Sequence, residues 1–422
     1  MIMAKSKEQE IPEGYKQTEI GVIPEDWDDK PVGDLFKFKN GLNKAKGFFG
    51  YGSPIVNYMD VYRNRGLHTK DIHGRVSVDA QELKAFGVKR GDVFFTRTSE
   101  TVDEIGFTSV LLDDLQNGVF SGFILRARPK NTDLEDQYKK YCFSPSIVRK
   151  QIREKSTYTT RALTNGKVLS GVKIFCPPHK EQLMIASALS DIDSLILKLE
   201  ILIEKKKNIK QGAMQVLLTG KKRLSGFDGA WKAKRIADIA SLSTDKNGTG
   251  APLPVLTCSK HLGFVDSLSY FKNQVFSSDT KGYKVIRRGQ IGYPSNHIEE
   301  GSIGLQDLYD VALVSPIYII FSASEGINSY FLHRLLKLDS YKREFQKATT
   351  SSVDRRGSLR WPAFSEITVI LPEVEEQNAI AAMFINMDAE IEKLESQLKK
   401  YRNIKQGMMQ NLLTGKIRLI KK

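Results

Sequence analysis

The segment NIKQGAMQVLLTGKKRL, Asn208 to Leu224, returns as NIKQGMMQNLLTGKIRL, Asn403 to Leu419. The copies differ only at positions 213/408, 216/411 and 222/417, and one offset of 195 residues, from 208 to 403, relates them. A repeat at one fixed offset indicates a tandem duplication in which both copies end in the same element. A duplicated chain has pseudo-twofold symmetry, which suits an elongated target with two half-sites.

Heptad spacing of apolar residues predicts a long helix in each copy. The apolar positions alternate in steps of four and three, and the second copy keeps the register of the first. This spacing is typical of a coiled coil, and a twofold axis makes us expect antiparallel pairing of the two helices. A core helix or a homodimer zipper would have a similar seam, and the spacing leaves both open. The seam positions are Ile185, Leu189, Ile192, Ile196, Leu199 and Ile203, then Ile380, Phe384, Met387, Ile391, Leu394 and Leu398.

Polar residues after each seam recur as faithfully as the apolar ones. Packing of a seam does not require this, so the sequence predicts a surface in each copy that binds an identical partner. Gly212 and Gly407 fall inside the helical pattern, where glycine costs about 1 kcal/mol relative to alanine, and they predict a close backbone approach or a bend. Gly220 and Gly415 predict the helix ends. The residues predicted to bind partners are Asn208, Lys210, Gln211, Gln215, Asn403, Lys405, Gln406 and Gln410. Further along, Thr219, Lys221 and Arg223 recur as Thr414, Lys416 and Arg418.

A globular segment precedes each helix, and the two segments share landmarks. Trp27 precedes Asp34 by the same distance as Trp231 precedes Asp238, and apolar runs such as VFFT at 93–96 lie between turn residues and predict strands. We therefore predict an α+β fold, in which two α/β domains with antiparallel or mixed sheets are joined by two long helices that form an antiparallel coiled coil. The predicted bounds are 1–179 for the first domain, 180–224 for the first helix, 225–374 for the second domain and 375–422 for the second helix.

The charge balance and the loops favour a nucleic-acid partner. Lysine and arginine outnumber aspartate and glutamate by 64 to 49, and the formal charge of +15 favours a polyanion. The loops of the two domains differ almost completely, as expected of modules that read different targets, although neutral loop drift gives the same pattern. Each loop cation is also compatible with a solvated surface. The residues predicted to contact DNA are Lys44, Lys46, Tyr51, Arg63, Arg65, Thr96, Arg97, Thr98 and Arg161 in the first domain, and Lys246, Lys260, His261, Tyr293, Asn296, His297, Arg355, Arg356 and Arg360 in the second.

Motifs for catalysis, metal binding and membrane insertion are absent from the sequence. Cys142, Cys176 and Cys258 lack C-x-x-C spacing, and the six histidines form no H-E-x-x-H cluster. No phosphate-binding loop and no Asn-Pro-Pro-Tyr methylation motif occurs. Asp191, Asp193 and Asp388 fall within helices, where a solvated face is the simple explanation. We therefore predict a DNA-binding protein with no catalytic residue, no metal and no cofactor. No run of about 18 uncharged apolar residues occurs, which predicts a cytoplasmic protein.

Three motifs carry a family resemblance. They are the opening YKQTEIGVIPEDW at 15–27, the PPxxEQ-type start of each helix, with Glu181, Gln182 and Glu376, Gln377, and the closing LLTGK-x-RL of each copy. With them the chain resembles, over nearly all its length, a specificity subunit of a type I restriction-modification system.

The resemblance implies a division of labour among several proteins. It implies that the two domains are target recognition domains, each reading one half of a bipartite DNA sequence. It also implies that the paired helices act as a spacer and bind two modification (methyltransferase) subunits. Methylation with S-adenosylmethionine, and ATP-driven translocation and cleavage by restriction subunits, are then expected of the partners.

Two other functions remain as alternatives. A coiled-coil structural adaptor with non-specific DNA binding would share the helices and the positive charge. A self-contained nuclease or methyltransferase would need catalytic motifs that the sequence lacks, and is the weakest of the three.

Overall fold

The protein divides into two compact units, each with its own hydrophobic core. The computed structural model describes residues 11–350 and 358–420. Unit 1 comprises Met1–Glu200 with Gln397–Lys422, and unit 2 comprises Ile201–Ser396. Among the described residues, no helix is both long enough and apolar enough to cross a membrane.

Unit 1 combines short strands with short helices before its long helix. The strands are β1 (Tyr15–Thr18), β2 (Gly21–Pro24), β3 (Asp28–Pro31), β4 (Phe36–Asn40), β5 (Phe49–Val56), β6 (Gly66–Leu67), β7 (Arg75–Val76), β8 (Val93–Thr96), β9 (Thr98–Ser99), β10 (Thr108–Leu111), β11 (Val119–Phe120), β12 (Ile124–Pro129), β13 (Thr157–Tyr158), β14 (Ala162–Leu163) and β15 (Lys173–Cys176). The helices are α1 (Val32–Leu35), α2 (Tyr58–Arg63), α3 (Ala80–Phe86), α4 (Asp136–Lys139), α5 (Ser146–Lys155), α6 (Gly166–Ser170) and α7 (His179–Leu217), with 3-10 turns at Lys46–Phe48, Thr69–Asp71 and Val102–Glu104.

A five-stranded mixed sheet forms the centre of unit 1, in the order β4-β12-β8-β10-β6. Its pairs are antiparallel except for β10 with β6, which are parallel. All four residues of the central strand β8 are buried, because the strand is covered on both faces of the sheet. A smaller sheet in the order β13-β14-β9 joins residues 157–163 to residues 98–99.

Unit 2 repeats this plan with fewer strands. Its strands are β16 (Lys232–Arg235), β17 (Ala240–Ser243), β18 (Leu256–Ser259), β19 (Gly263–Asp266), β20 (Lys284–Arg287), β21 (Ile291–Pro294), β22 (Gly304–Leu305), β23 (Val311–Val314), β24 (Tyr318–Ala323) and β25 (Thr368–Leu371). Its helices are α8 (Ile236–Ile239), α9 (Ser267–Phe271), α10 (Ser329–Leu336), α11 (Asp339–Thr350), α12 (Trp361–Ser365) and α13 (Val374–Leu412), with a 3-10 turn at Ile298–Glu300. The central sheet has the order β17-β24-β21-β22 and is antiparallel throughout.

Each unit packs the start of one long helix against the end of the other. The core of unit 1 includes Ile185 and Leu189 of α7 together with Leu412 of α13. The core of unit 2 includes Phe384 of α13 together with Leu217 of α7. These are seam positions or the leucines that follow them, so the apolar spacing seen in the sequence marks residues that are buried within each unit.

Ion pairs give the direction of the helix segments inside each unit. In unit 1, Glu200 pairs with Arg402 and Asp193 pairs with Lys405, so the residue numbers run in opposite senses. In unit 2, Lys206 pairs with Glu390 and Lys210 with Asp388. The further pair in unit 2 is Lys207 with Glu395. Within each unit the two segments therefore run antiparallel.

The predicted mixture of helices and strands is confirmed. Gly220 and Gly415 follow the long helices with φ of 68° and 71°, in the left-handed region that glycine adopts without strain, and this agrees with their predicted role as helix ends. For Gly212 and Gly407 the prediction was a close backbone approach or a bend, and the first of these is not found among the described residues. A Cβ at either position would meet no atom within 4 Å, so among the described residues no close backbone approach explains them.

Candidate nucleic-acid interface

A cleft of about 380 Å³ opens on unit 1 where helix α2 faces the small sheet β13-β14-β9. Pairing of Ser99 with Ala162 places Arg161 beside residues 98–100, although more than 60 positions separate them along the chain. Two residues predicted to contact DNA, Thr98 and Arg161, thereby come together. We call this the mixed cleft; it is lined by Tyr58, Met59, Tyr62, Thr98, Ser99, Glu100, Glu104, Phe123 and Arg161.

Some side chains of the mixed cleft are held in place and others are left open to a ligand. The Tyr62 hydroxyl donates to Glu104 Oε1 at 2.7 Å, and this hydrogen bond is the main reason that the pKa of Tyr62 is raised. Tyr58 and Tyr62, one helical turn apart, stack with ring centroids 5.9 Å apart. By contrast, Glu100 and Arg161 are exposed and form no side-chain hydrogen bond within residues 11–350 and 358–420.

A second cleft of unit 1, about 330 Å³ in volume, carries positive charge. We call it the cationic cleft; its lining includes Arg63, Arg65, Lys140 and Arg149, and no carboxylate. Arg149 donates to the carbonyls of Gly106, Asp103 and Ile105, and burial lowers its pKa to about 10. The guanidinium stays charged at neutral pH, so Arg149 is a structural cation while Arg63 and Arg65 are exposed.

The end of helix α13 forms a third depression in unit 1, of about 540 Å³. Arg65, Arg402 and Lys416 contribute positive charge, and Gln406 and Gln410 contribute amides. We call it the helix-end groove. Three of the residues predicted to bind partners, Lys405, Gln406 and Gln410, line it.

The lysines predicted to bind partners are partly used inside the protein. Lys210 forms an ion pair with Asp388, which also accepts hydrogen bonds from Tyr330 and Arg334, each at 2.8 Å. Lys405 pairs with Asp193 in the same way. The lysine side chains are only 17% and 22% exposed. Their recurrence therefore follows from intramolecular pairing, and the expectation that Asp193 and Asp388 lie on a solvated face is corrected.

The other six residues predicted to bind partners have exposed side chains. They are Asn208, Gln211, Gln215, Asn403, Gln406 and Gln410. None of the four glutamines among them has its side-chain amide in a hydrogen bond within the described residues. This part of the recurring polar surface has no intramolecular explanation.

Two residues predicted to contact DNA are buried in the core. Thr96 has no exposed surface, and its Oγ1 accepts a hydrogen bond from the Phe107 amide at 2.9 Å. Tyr293 is also fully buried, and its ring packs 4.8 Å from that of Phe364. Neither side chain reaches a surface, so the prediction is wrong for these two. They lie on β8 and β21, in which all four residues are buried, as in a strand that is covered on both faces.

The remaining predicted residues of unit 1 lie on separate segments: Lys46 in a 3-10 turn, Tyr51 on β5, and Arg97 between β8 and β9. Lys46 and Tyr51 are exposed, and Arg97 is half-buried. Lys44 forms an ion pair with Glu82 at 2.6 Å and lies over the ring of Phe48 at 4.6 Å. Because that charge is already paired, Lys44 is a weaker phosphate ligand than an unpaired lysine.

The predicted residues of unit 2 lie on separate surface loops. Lys260 and His261 occupy the turn of the β18–β19 hairpin, Asn296 and His297 follow β21, and Lys246 lies after β17; all five are exposed. His297 Nδ1 lies 3.4 Å from Glu300 Oε1, so a carboxylate stands beside this candidate. Arg360 is exposed, whereas Arg355 and Arg356 lie outside the described residues.

A buried charge cluster appears at the same place in both units; its arginines were among the recurring polar residues expected on a partner surface, and its other residues were not predicted as a site. In unit 1, Glu181 accepts hydrogen bonds from the indole of Trp27 at 2.8 Å and from Arg418 at 2.7 Å, and Arg418 also reaches Asp26. In unit 2, Glu376 accepts from Trp231 and Arg223. The glutamates belong to the PPxxEQ-type motif and the arginines to LLTGK-x-RL, so these motifs hold the ends of the helices together within each unit.

The adjacent glutamines of the same motif bind backbone groups of the segments that lie beside the start of each long helix. Gln182 donates to the carbonyls of Asp133 and Pro177 and accepts from the Glu135 amide. Gln377 is likewise bonded to the backbone of Pro372 and Asn328. The recurrence of Glu-Gln in the sequence was the signal from which both structural roles could have been inferred.

Similarity to known proteins covers almost the whole chain. Residues 24–211 match the family described as the type I restriction modification DNA specificity domain. The type I restriction enzyme MjaVIII specificity subunit of Methanocaldococcus jannaschii is 24% identical, with 96% of this chain and 96% of that protein aligned. The predicted resemblance to specificity subunits of type I restriction-modification systems is therefore confirmed.

Solved structures show the same fold. The crystal structure of a type I restriction-modification system S subunit from M. genitalium has a TM-score of 0.54 at 15% identity and covers 92% of this chain and 96% of its own. The HsdS subunit from Thermoanaerobacter tengcongensis has a TM-score of 0.51 at 15% identity and covers 94% and 98%. At this level of identity the likeness concerns the fold alone.

Proposed function

We propose that this chain is a non-catalytic DNA specificity subunit whose units each contain a target recognition domain that reads one half of a bipartite sequence. The observation that carries the proposal is the contrast between what the duplication keeps and what it changes. Both units retain the helix ends and the Glu–Arg–Trp cluster. The loops of unit 1 form a mixed cleft, whereas unit 2 presents different residues on its loops. Two domains that share a fold but differ in their loops suit two different DNA half-sites.

The two long helices supply the spacer in this proposal. Helices α7 and α13 each contain 39 residues, which corresponds to about 58 Å at 1.5 Å per residue. Antiparallel ion pairs within each unit support a paired, coiled-coil arrangement. A rigid pair of this length would set the distance between the half-sites, since about 34 Å corresponds to one turn of DNA.

Methylation in cells tests the proposed function directly. We expect single-molecule sequencing of adenine methylation, in cells that carry the modification genes, to reveal one bipartite motif that is present with this gene and absent without it. The control is the same operon with an early stop codon in this gene. Methylation that does not depend on the gene, or a motif that is not split, would refute the proposal; sequence-independent binding would instead favour the adaptor.

The exposed recurring amides are proposed to bind two modification subunits. Gln211 and Gln215 in the first copy and Gln406 and Gln410 in the second lie next to helix positions 212 and 407, where glycine leaves the backbone uncovered. A partner helix that packs closely against this backbone would explain why both copies keep a glycine that costs about 1 kcal/mol. Binding of an identical partner by each copy would give two modification subunits per chain.

Replacing these glutamines should weaken assembly without changing the motif. We expect Gln211→Glu with Gln215→Glu to remove one of two modification subunits, and the four-residue variant with Gln406→Glu and Gln410→Glu to remove both, as measured by native mass spectrometry. New carboxylates at a desolvated contact lack partners, which is costly. A matched control is Lys205→Gln, an exposed lysine of the same helix with no ion pair among the described residues. Intact 2:1 assembly in the four-residue variant would contradict the proposal.

A further inference from the structure

We propose that the mixed cleft of unit 1 reads base edges, with Arg161 and Glu100 as specificity-determining residues for one half-site, while the neighbouring cationic cleft holds phosphates. The inference rests on the proposed function, because it assumes that unit 1 binds duplex DNA. It goes further by naming which surface recognises sequence and by which chemistry.

The two clefts differ in the charge of the residues that line them. The cationic cleft presents Arg63 and Arg65 with no carboxylate in its lining, as expected of a surface for phosphates. The mixed cleft presents Glu100 and Glu104 beside Arg161. Two carboxylates repel a phosphate group at close range, so a cleft that holds them in a chain of charge +15 suits a ligand without formal charge.

The groups of the mixed cleft match the edges of base pairs. A carboxylate accepts a hydrogen bond from the N4 amino group of cytosine, and an arginine donates two bonds to O6 and N7 of guanine. Glu100 and Arg161 are exposed and have no side-chain hydrogen bond within the described residues, so both remain available. Phe123 is 67% exposed, and an apolar ring of this kind contacts the methyl group of thymine.

The floor of the mixed cleft is preorganised. Glu104 is fixed by Tyr62 at 2.7 Å, and the Tyr62 ring stacks on Tyr58 and on Phe107 with centroid distances of 5.9 and 5.7 Å. Phe107 in turn lies under the Arg149 guanidinium at 5.0 Å. Tyr62 lines both clefts, so the surface for bases and the surface for phosphates adjoin along one ring. Adjoining surfaces of this kind are needed to contact a base and the phosphate of the same nucleotide together.

Variants of the two clefts in the complete modification complex test the assignment. We expect Arg161→Ala and Glu100→Gln each to relax the methylation motif at one position of a single half-site, with a loss of discrimination between about 5-fold and about 150-fold. The other half-site should stay unchanged. As a matched control, Arg63→Ala should keep the motif and reduce the slope of log affinity against log salt by about 0.9, for one phosphate contact.

The outcomes separate the two proposals. If the wild-type complex yields no bipartite motif, the proposed function fails. If it yields one and the Arg161 and Glu100 variants leave it intact, only the reading role of the mixed cleft fails. A uniform loss of affinity in these variants would show phosphate contact, and loss of the modification subunits would show a protein contact; both results would overturn the inference. Because the two side chains are exposed, the variants should melt within a few degrees of the wild type.

Discussion

Arg418→Ala should lower the free energy of unfolding of unit 1 by about 3–5 kcal/mol, because it leaves a buried carboxylate without its partner. The Glu181 side chain has no exposed surface, and Arg418 supplies two of its hydrogen bonds, each at 2.7 Å. The Trp27 indole alone cannot neutralise the charge. The guanidinium hydrogen bonds also lower the pKa of Asp26, which holds the same arginine from the solvent side. Denaturant titration followed by tryptophan fluorescence, with Trp231→Phe and Trp361→Phe in both the variant and its reference so that only Trp27 reports, measures the change.

Two controls separate charge burial from general disruption. Arg402→Ala removes an exposed pair, with Arg402 58% and Glu200 40% exposed, and should cost less than about 1 kcal/mol. The double variant Arg418→Met with Glu181→Leu removes both charges and should recover much of the loss, since isosteric apolar replacement of a buried pair is often neutral. A loss in the double variant equal to the sum of the single losses would show that the residues do not act as a pair.

The stability of unit 2 should fall as the pH drops below about 6.5, because His333 must be neutral when folded. Burial is the main cause that lowers its pKa to about 3, and the neighbouring charges of Arg334 and Lys337 act in the same direction. Nε2 lies 3.3 Å from the Ile303 carbonyl, while Nδ1 has no hydrogen-bond partner among the described residues. A proton on Nδ1 would add a buried charge without a partner.

The sign and size of this effect follow from linkage. The folded pKa lies below the unfolded value of 6.5, so the stabilisation is complete above pH 6.5 and is lost progressively toward pH 3. Within that window we expect a loss of about 1.4 kcal/mol per pH unit. Urea titrations at pH 7.0, 6.0 and 5.0 measure it. His333→Gln keeps an amide donor for Ile303 and cannot be protonated, so its pH dependence should be shallower; parallel curves would contradict the assignment.

The sequence predicted the helices and strands better than it predicted the residues of the candidate sites. Heptad residues near the start of each helix, such as Ile185 and Phe384, are buried in the unit cores, whereas Ile196 and Leu394 are half-buried. The glycines after each helix adopt the left-handed conformation. Thr98 and Arg161 were both singled out by residue type, but nothing in the sequence placed them together. Their meeting depends on pairing between β9 and β14, a contact across more than 60 residues.

Polar residues were the hardest to interpret from sequence. The recurrence of Lys210 and Lys405 predicted a partner surface, whereas both lysines complete an internal ion pair. Tyr58, Tyr62 and Phe123 of the mixed cleft were overlooked, because an aromatic residue in a loop or short helix has the same local pattern whether it is buried or exposed.

The sequence by itself determined the duplication, the two long helices and their apolar seams, since these depend on the spacing of neighbouring residues along one chain. It also indicated the resemblance to type I specificity subunits, through motifs that recur at the helix ends. Only the tertiary structure decided which recurring charges face inward and which loop residues share a cleft. Those outcomes depend on the register between distant segments: a shift of one turn would separate Asp193 from Lys405 and Asp388 from Lys210 without altering any local pattern.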